Sequence, residues 1–226
     1  MNILAIECTH EALSAAVSCS GVVTEALCVD WKKAAESLVP LVEQVMTESR
    51  LNRQELECIA ISSGPGSFTA LRIGMSVAKG IAYGLGIPLV PVPTLSAMAA
   101  SLQAAAGTVM AVITARKGEY YYAAYRSEDL SSSVWHDEVK RGSAADVASA
   151  ADVLALSGEA VVVGRRLDEL IPLLAASGVV YREADFFSAR SLFSAAERLF
   201  APADTADLNG ISPDYRQTFS PNGGRG

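Results

Sequence analysis

Histidine, cysteine and clustered positive charge are all scarce in this chain of 226 residues. The two histidines, His10 and His136, fall in different halves without metal-ligand spacing, so neither a histidine-based metal site nor a catalytic triad is expected. Four cysteines, at 8, 19, 28 and 58, contain no C-x-x-C and lie in apolar strand-like runs, which fits buried thiols better than disulfides. Lys and Arg total 18 against 25 Asp and Glu, giving a net charge of −7 and a pI near 4.9. With the cations scattered, strong direct binding of nucleic acid is excluded, and any RNA is expected to be held through a partner. The longest apolar runs are of strand length or broken by charge, so no bilayer span and no membrane partner are expected. The opening "MNILAIECTHE" lacks a basic leader and carries Glu7 early, which predicts a cytoplasmic protein without a secretory signal.

What is present is a globular composition, half apolar and 19% charged. "NILAIEC" (2–8) reads as a buried strand, and "LSAAVSCSGVVTEALCVD" (13–30) as two strands about a turn at Ser20-Gly21. A helix over 34–50 follows, with Pro40 inside it. "NRQE" (52–55) has the form of a capping box, "CIAISSG" (58–64) of a strand, and 69–84 of a helix that Gly84 or Gly86 can stop. Strand 87–92 and an Ala-rich helix from Pro93-Thr94 complete the first half. The second half repeats this order with strands at 108–115, 120–127 and 133–139, and a helix at 143–152. Strand 160–164, a helix in "RLDELIPLLAASG", strand 179–183 and an amphipathic helix at 188–201 follow. The order β-β-β-α-β-α-β thus occurs twice, which predicts a duplicated ribonuclease-H-like, actin-like α/β fold with mixed sheets flanked by helices. The expected divisions are 1–105, 106–187 and a tail at 206–226, with the helix of about 188–205 packing back on the first half.

"SSGPGSFTALRIG" (62–74) invites a phosphate-loop reading that fails in detail. A Walker loop needs a second Gly and a Lys where Thr69 and Ala70 stand. The dinucleotide fingerprint lacks its third Gly, and no acidic residue follows strand 87–92. What remains is a strand-to-helix turn, freed by Gly64 and Gly66, stiffened by Pro65 and capped by Ser67 or Thr69. Anion binding by the first helical amides is secondary. The helix behind it mixes Gly74, Gly80 and Gly84 with apolar residues all round, so close approach to another helix is expected. Together with helix 34–50, it is expected to present an apolar face that docks a partner or closes a homodimer. Arg72, near a positive helix end, calls for a carboxylate, either Glu36 or one on another subunit. Arg116 and Lys117 in the second-half hairpin are the best local candidates for touching a nucleic-acid phosphate, but two cations make a weak patch and solvated turn charges are the better explanation.

The run "AISSGPGSFTALRIGMSVAKGIAYGLGIPLVPVPTL" closely resembles the signature of the bacterial TsaB (YeaZ) family. "ILAIECT", "ESLVPLVEQVM", "TARKGEYYYAAY" and "ISPDYRQ" are similar to further family motifs; the match is dense over 1–125 and thin over 126–205. The resemblance implies a non-catalytic subunit required, with a TsaD-type paralogue, for threonylcarbamoyl modification of tRNA adenosine 37. A TsaE-type ATPase joins the assembly, and tRNA is met only through the complex. It implies pairing through helices of the N-terminal half, expected here to use Glu36, Leu38, Val39, Val42 and Met46 of the first helix with Leu71, Arg72, Met75, Lys79 and Tyr83 of the second. No catalytic residue, metal or intrinsic cofactor is implied. ADP or ATP at the subunit junction would be met by Glu7, Thr9, Gly64, Gly66, Ser67 and Thr69. The rival reading is an autonomous ATPase or small-molecule kinase of the actin-like superfamily. Glu7, standing where most relatives have Asp, weighs against it, because one methylene misplaces a metal-positioning carboxylate.

Overall fold

The computed structural model describes residues 1–10, 12–29, 34–102, 107–132, 135, 138–176, 178–184, 187–200 and 208–216. Two five-stranded sheets of the same topology form its frame. In the first, β1 (Ile3–Glu7) lies at the centre. It is antiparallel to β2 (Leu13–Cys19), which pairs with β3 (Val22–Cys28), and parallel to β4 (Cys58–Gly64), which pairs with β5 (Leu89–Pro93). In the second, β6 (Thr108–Arg116) holds the same place. It is flanked by β7 (Glu119–Arg126) and β8 (Lys140–Ser143) on one side and β9 (Ala160–Gly164) and β10 (Val180–Glu183) on the other.

Strand alternation sorts the core into layers. Ile3 and Ala5 of β1, Cys58 and Ala60 of β4, and Val109, Ala111 and Ile113 of β6 all face a central layer between the sheets. Leu4, Ile6, Ile59 and Ile61 face outward beneath α1 (Ala34–Ser49) and α2 (Phe68–Leu85). Met110 and Val112 face outward beneath α4 (Ala144–Leu156) and α5 (Ile171–Ala176). Because both faces of the inner strands are covered, they read as continuous apolar runs. The central layer is filled by α3 (Thr94–Ser101), buried from Thr94 through Ala99, which is why this helix is Ala-rich rather than amphipathic. The 3₁₀ turn Ala189–Leu192 and α6 (Phe193–Leu199) return to the first half, where the Ala189 amide donates to buried Ser14 Oγ at 2.7 Å.

Three expected elements differ. Of the strand expected over 133–139, residues 133, 134, 136 and 137, hence His136, lie outside the described residues, 135, 138 and 139 are not in a strand, and the outer partner of β7 is β8 at Lys140–Ser143. β8 carries no apolar pattern because it is an edge held by backbone pairing to β7 and by the Arg141–Glu119 ion pair. Trp135 and Val139 pack against the central layer without joining a strand. The helix expected in 166–178 shrinks to α5, with Pro172 in its first turn, where a missing amide costs least. The single helix expected at 188–201 is instead the 3₁₀ turn followed by α6, since the first four residues wind more tightly as they cross Ser14.

Candidate functional site

Two features of the first half carry residues singled out above, and they share α2. The first is the turn between β4 and α2. Gly64 sits at φ 108°, and a Cβ there would come within 2.5 Å of the Asp214 carbonyl oxygen. A Cβ on Gly66 would stand 2.7 Å from Thr9 Cβ and Thr9 O. Both glycines are therefore required by close approach: Gly66 to the residue that follows β1, and Gly64 to a segment some 150 residues later. The Ser67 amide donates to Thr9 O at 2.8 Å, tying the start of α2 to the end of β1.

Glu7, Thr9, Gly66 and Ser67 are brought together and engage one another through Thr9, whereas Gly64 faces Asp214. Glu7 is fully buried; its Oε1 accepts the Thr9 amide at 2.6 Å and the Thr9 hydroxyl, while Oε2 has no hydrogen-bond partner among the described residues. Burial pushes its carboxyl above the ordinary range, opposed by the hydrogen bonds from Thr9 and contacts with Ser62 and the Cys8 amide. Ser67 holds the N-cap position yet makes no side-chain cap, so the expected hydroxyl cap is corrected, and Thr69 is exposed in the first turn.

The start of α2 is held instead by residues 208–216. The Asp214 amide donates to Ser63 O at 2.7 Å, and the Tyr215 ring lies 4.5 Å from that of Phe68. Arg72 Nε donates to the Tyr215 hydroxyl at 3.1 Å, and its guanidinium covers the Phe68 ring at 4.3 Å. Arg72 thus takes an aromatic and hydroxyl environment in place of the carboxylate of Glu36. Sequence reasoning missed Asp214 and Tyr215 as site residues; the "ISPDYR" run was their only signal.

The second feature is a groove of ≈ 920 Å³ between α1 and α2. Val39, Val42 and Met46 line one wall, Val77 and Ile81 the other, with Leu4 and Leu56 at its floor. Ser76, Gly80 and Gly84 fall at four-residue spacing on α2, and a Cβ on Gly80 or Gly84 would meet nothing within 4 Å. These glycines do not serve close helix contact; they hollow out the groove. Gly74 is the one that permits close approach, and its neighbour is Cys8 Sγ at the end of β1 rather than another helix.

The expected docking residues divide by face. Val39 (48% exposed), Tyr83 (81%), Glu36 and Arg72 lie on the surface, with Lys79 and Met46 half-buried. Leu38 of α1 and Leu71 and Met75 of α2 are core, at 0%, 1% and 3% exposure, because these positions point at the sheet. Val42 is buried but still lines the groove. Ser76, Val77, Gly80 and Ile81 were missed, although the Ser76-Gly80-Gly84 spacing was there to be read. In the second-half hairpin, Arg116 is paired with Glu119 at 2.7 Å. Among the described residues no group of His, Cys, Asp and Glu is placed to share a metal ion, and no helix is long and apolar enough to cross a membrane.

On this geometry, similarity to known proteins is extensive. A family model described as TsaD, tRNA N6-adenosine threonylcarbamoyltransferase, matches residues 20–159. The tRNA threonylcarbamoyladenosine biosynthesis protein TsaB of Escherichia coli is 32% identical over 219 residues, spanning 95% of this chain and 94% of that one. Its namesake in Haemophilus influenzae is 31% identical over 137 residues, spanning 58% and 57%. Among solved structures, YeaZ from Pseudomonas aeruginosa superposes with a TM-score of 0.74 at 24% identity, covering 95% of this chain and 99% of that one. This last likeness supports the duplicated fold. With similarity running along nearly its whole length, the chain belongs to the TsaB family.

Proposed function

We propose that the protein is an accessory subunit for threonylcarbamoyl modification of tRNA adenosine 37, pairing in the cytoplasm with a TsaD-type transferase and performing no chemistry alone. The observation that carries this reading is the groove between α1 and α2. It is apolar, open and cut deeper by glycines whose open side no described residue fills. A pair of helices from a partner of the same fold has the shape and chemistry to fill it. Alone, the same face closes a homodimer, which the transferase displaces. A TsaE-type ATPase and tRNA join through the complex, in keeping with a charge of −7.

The turn supports the accessory role. A carboxylate that positions Mg-ATP must reach solvent or ligand, whereas Glu7 is sealed behind Thr9. ADP or ATP at the junction is accordingly expected to need the groups of both subunits, not this turn alone. Two measurements test the reading. Co-purification with the TsaD-type paralogue should yield a heterodimer, and the isolated chain should show no ATP turnover that Glu7→Gln abolishes. Turnover lost in that variant would establish the autonomous ATPase instead.

A further inference from the structure

The 208–216 segment takes no part in lining the groove, yet it fastens the helix that forms one wall. The Asp214 amide binds the C-terminal end of β4 at Ser63 O, and its carbonyl oxygen fills the space beside Gly64. Tyr215 then clasps two residues on successive turns of α2: Phe68 by ring contact, and Arg72 through its hydroxyl and the ring face, 5.6 Å from the guanidinium. Leu208 and Ile211 anchor the approach against the outer core layer.

The clasp matters because α2 has no local N-terminal restraint. Ser67 makes no side-chain cap, and the first turn carries no acidic residue to complement the helix end. A helix start without a cap frays, unless tertiary contacts hold it. Here Thr9 holds the Ser67 amide, and the side chains of the first turns are held by a residue 143 positions away in the chain. The same helix sets the groove through Ser76, Val77, Gly80 and Ile81, so a tilt at its start is carried to the wall two turns on.

We propose that residues 211–216 act as a latch that holds α2 in its docking orientation, with Tyr215 the positioning residue for partner binding. The inference rests on the accessory-subunit reading and adds a part that lies outside the docking face. By linkage, a partner that selects the latched helix also tightens the latch, so the segment is protected on pairing.

The test uses the full chain carrying Tyr215→Ala, which removes ring and hydroxyl, and Tyr215→Phe, which removes the hydroxyl alone. Amide hydrogen exchange in the isolated chain reads the first turns of α2, and titration calorimetry well below the melting temperature reads affinity for the TsaD-type transferase. Tyr215→Ala should speed exchange in α2 by about ten-fold and weaken pairing by a similar factor. Tyr215→Phe should keep most of both, since the stacked ring remains. Unchanged exchange in α2, or faster exchange with pairing at full strength, would overturn the latch. Should Tyr215→Ala fail to fold, Tyr215→Phe carries the test, expected at about a two- to three-fold effect on both readouts. No change in either would then overturn it. If the wild-type chain does not bind the transferase at all, the accessory reading fails, and exchange in the isolated chain still decides for or against the latch.

Discussion

Thr9 folds back on Glu7, donating its amide at 2.6 Å and its hydroxyl to one carboxylate oxygen while the other stays buried without a partner among the described residues. The burial that raises the Glu7 pKa has a consequence for stability against pH. In the unfolded chain this carboxyl titrates near 4.5, and in the folded chain higher. Between those values the unfolded chain has lost the proton and the folded chain has kept it. Stability from Glu7 therefore falls as pH rises through that window and levels off above the folded value. Glu7→Gln should remove the fall, so that its melting temperature gains on wild type as pH is raised from about 4 to about 8. Parallel melting curves for the two proteins across that range would contradict the assignment.

The turn that opens α2 depends on Gly66 for space, not for backbone freedom. Gly66→Ala places a methyl 2.7 Å from the backbone oxygen of Thr9, so the turn must shift. Urea denaturation should report a loss of about 1–3 kcal/mol. A variant as stable as wild type would show that the two segments separate freely.

Two glycines of α2 should answer the same substitution with opposite signs. Gly80→Ala adds a methyl in open space and should gain about 1 kcal/mol from helix propensity. Gly74→Ala drives a methyl into Cys8 Sγ and should lose about 1–3 kcal/mol despite the same propensity gain. Equal effects at the two sites, in either direction, would argue against this placement of α2.

Core and surface positions on the docking helices should separate just as cleanly. Leu38→Ala and Met75→Ala should each cost about 2–5 kcal/mol, because they empty buried volume. Val39→Glu and Tyr83→Glu should change stability by no more than about 0.5 kcal/mol while weakening association with the transferase. Chemical denaturation gives the first comparison and binding titration the second.

The architecture was legible because buried strands announce themselves. "ILAIE", "CIAIS" and "VMAVIT" are apolar on both faces, and the order of elements displayed the duplication. β8 was not legible, since an edge strand reading "KRGS" buries little and is defined by its neighbour's backbone. The docking face was legible as a pair of helices but not as a face. A helix apolar all round, as α2 is, gives no phase, and Val39 widens the stripe of α1 beyond one face, so Leu38, Leu71 and Met75 read as docking positions although they point into the core. The roles of Gly74 and Gly80 differ only through what stands opposite each, which no local pattern encodes. Tyr215 on Phe68 and Arg72 is a contact of long range, visible in the sequence only as a short run with no stated purpose.

Filling the groove gives the most direct test of the central claim that α1 and α2 form a docking surface. Gly80→Trp puts an indole into the space between the helices, where a Cβ meets nothing within 4 Å. Calorimetric titration against the TsaD-type transferase should show affinity reduced by about a hundred-fold or more, with the melting temperature of the isolated chain held. Full affinity in a folded Gly80→Trp protein would contradict the account and place the partner elsewhere.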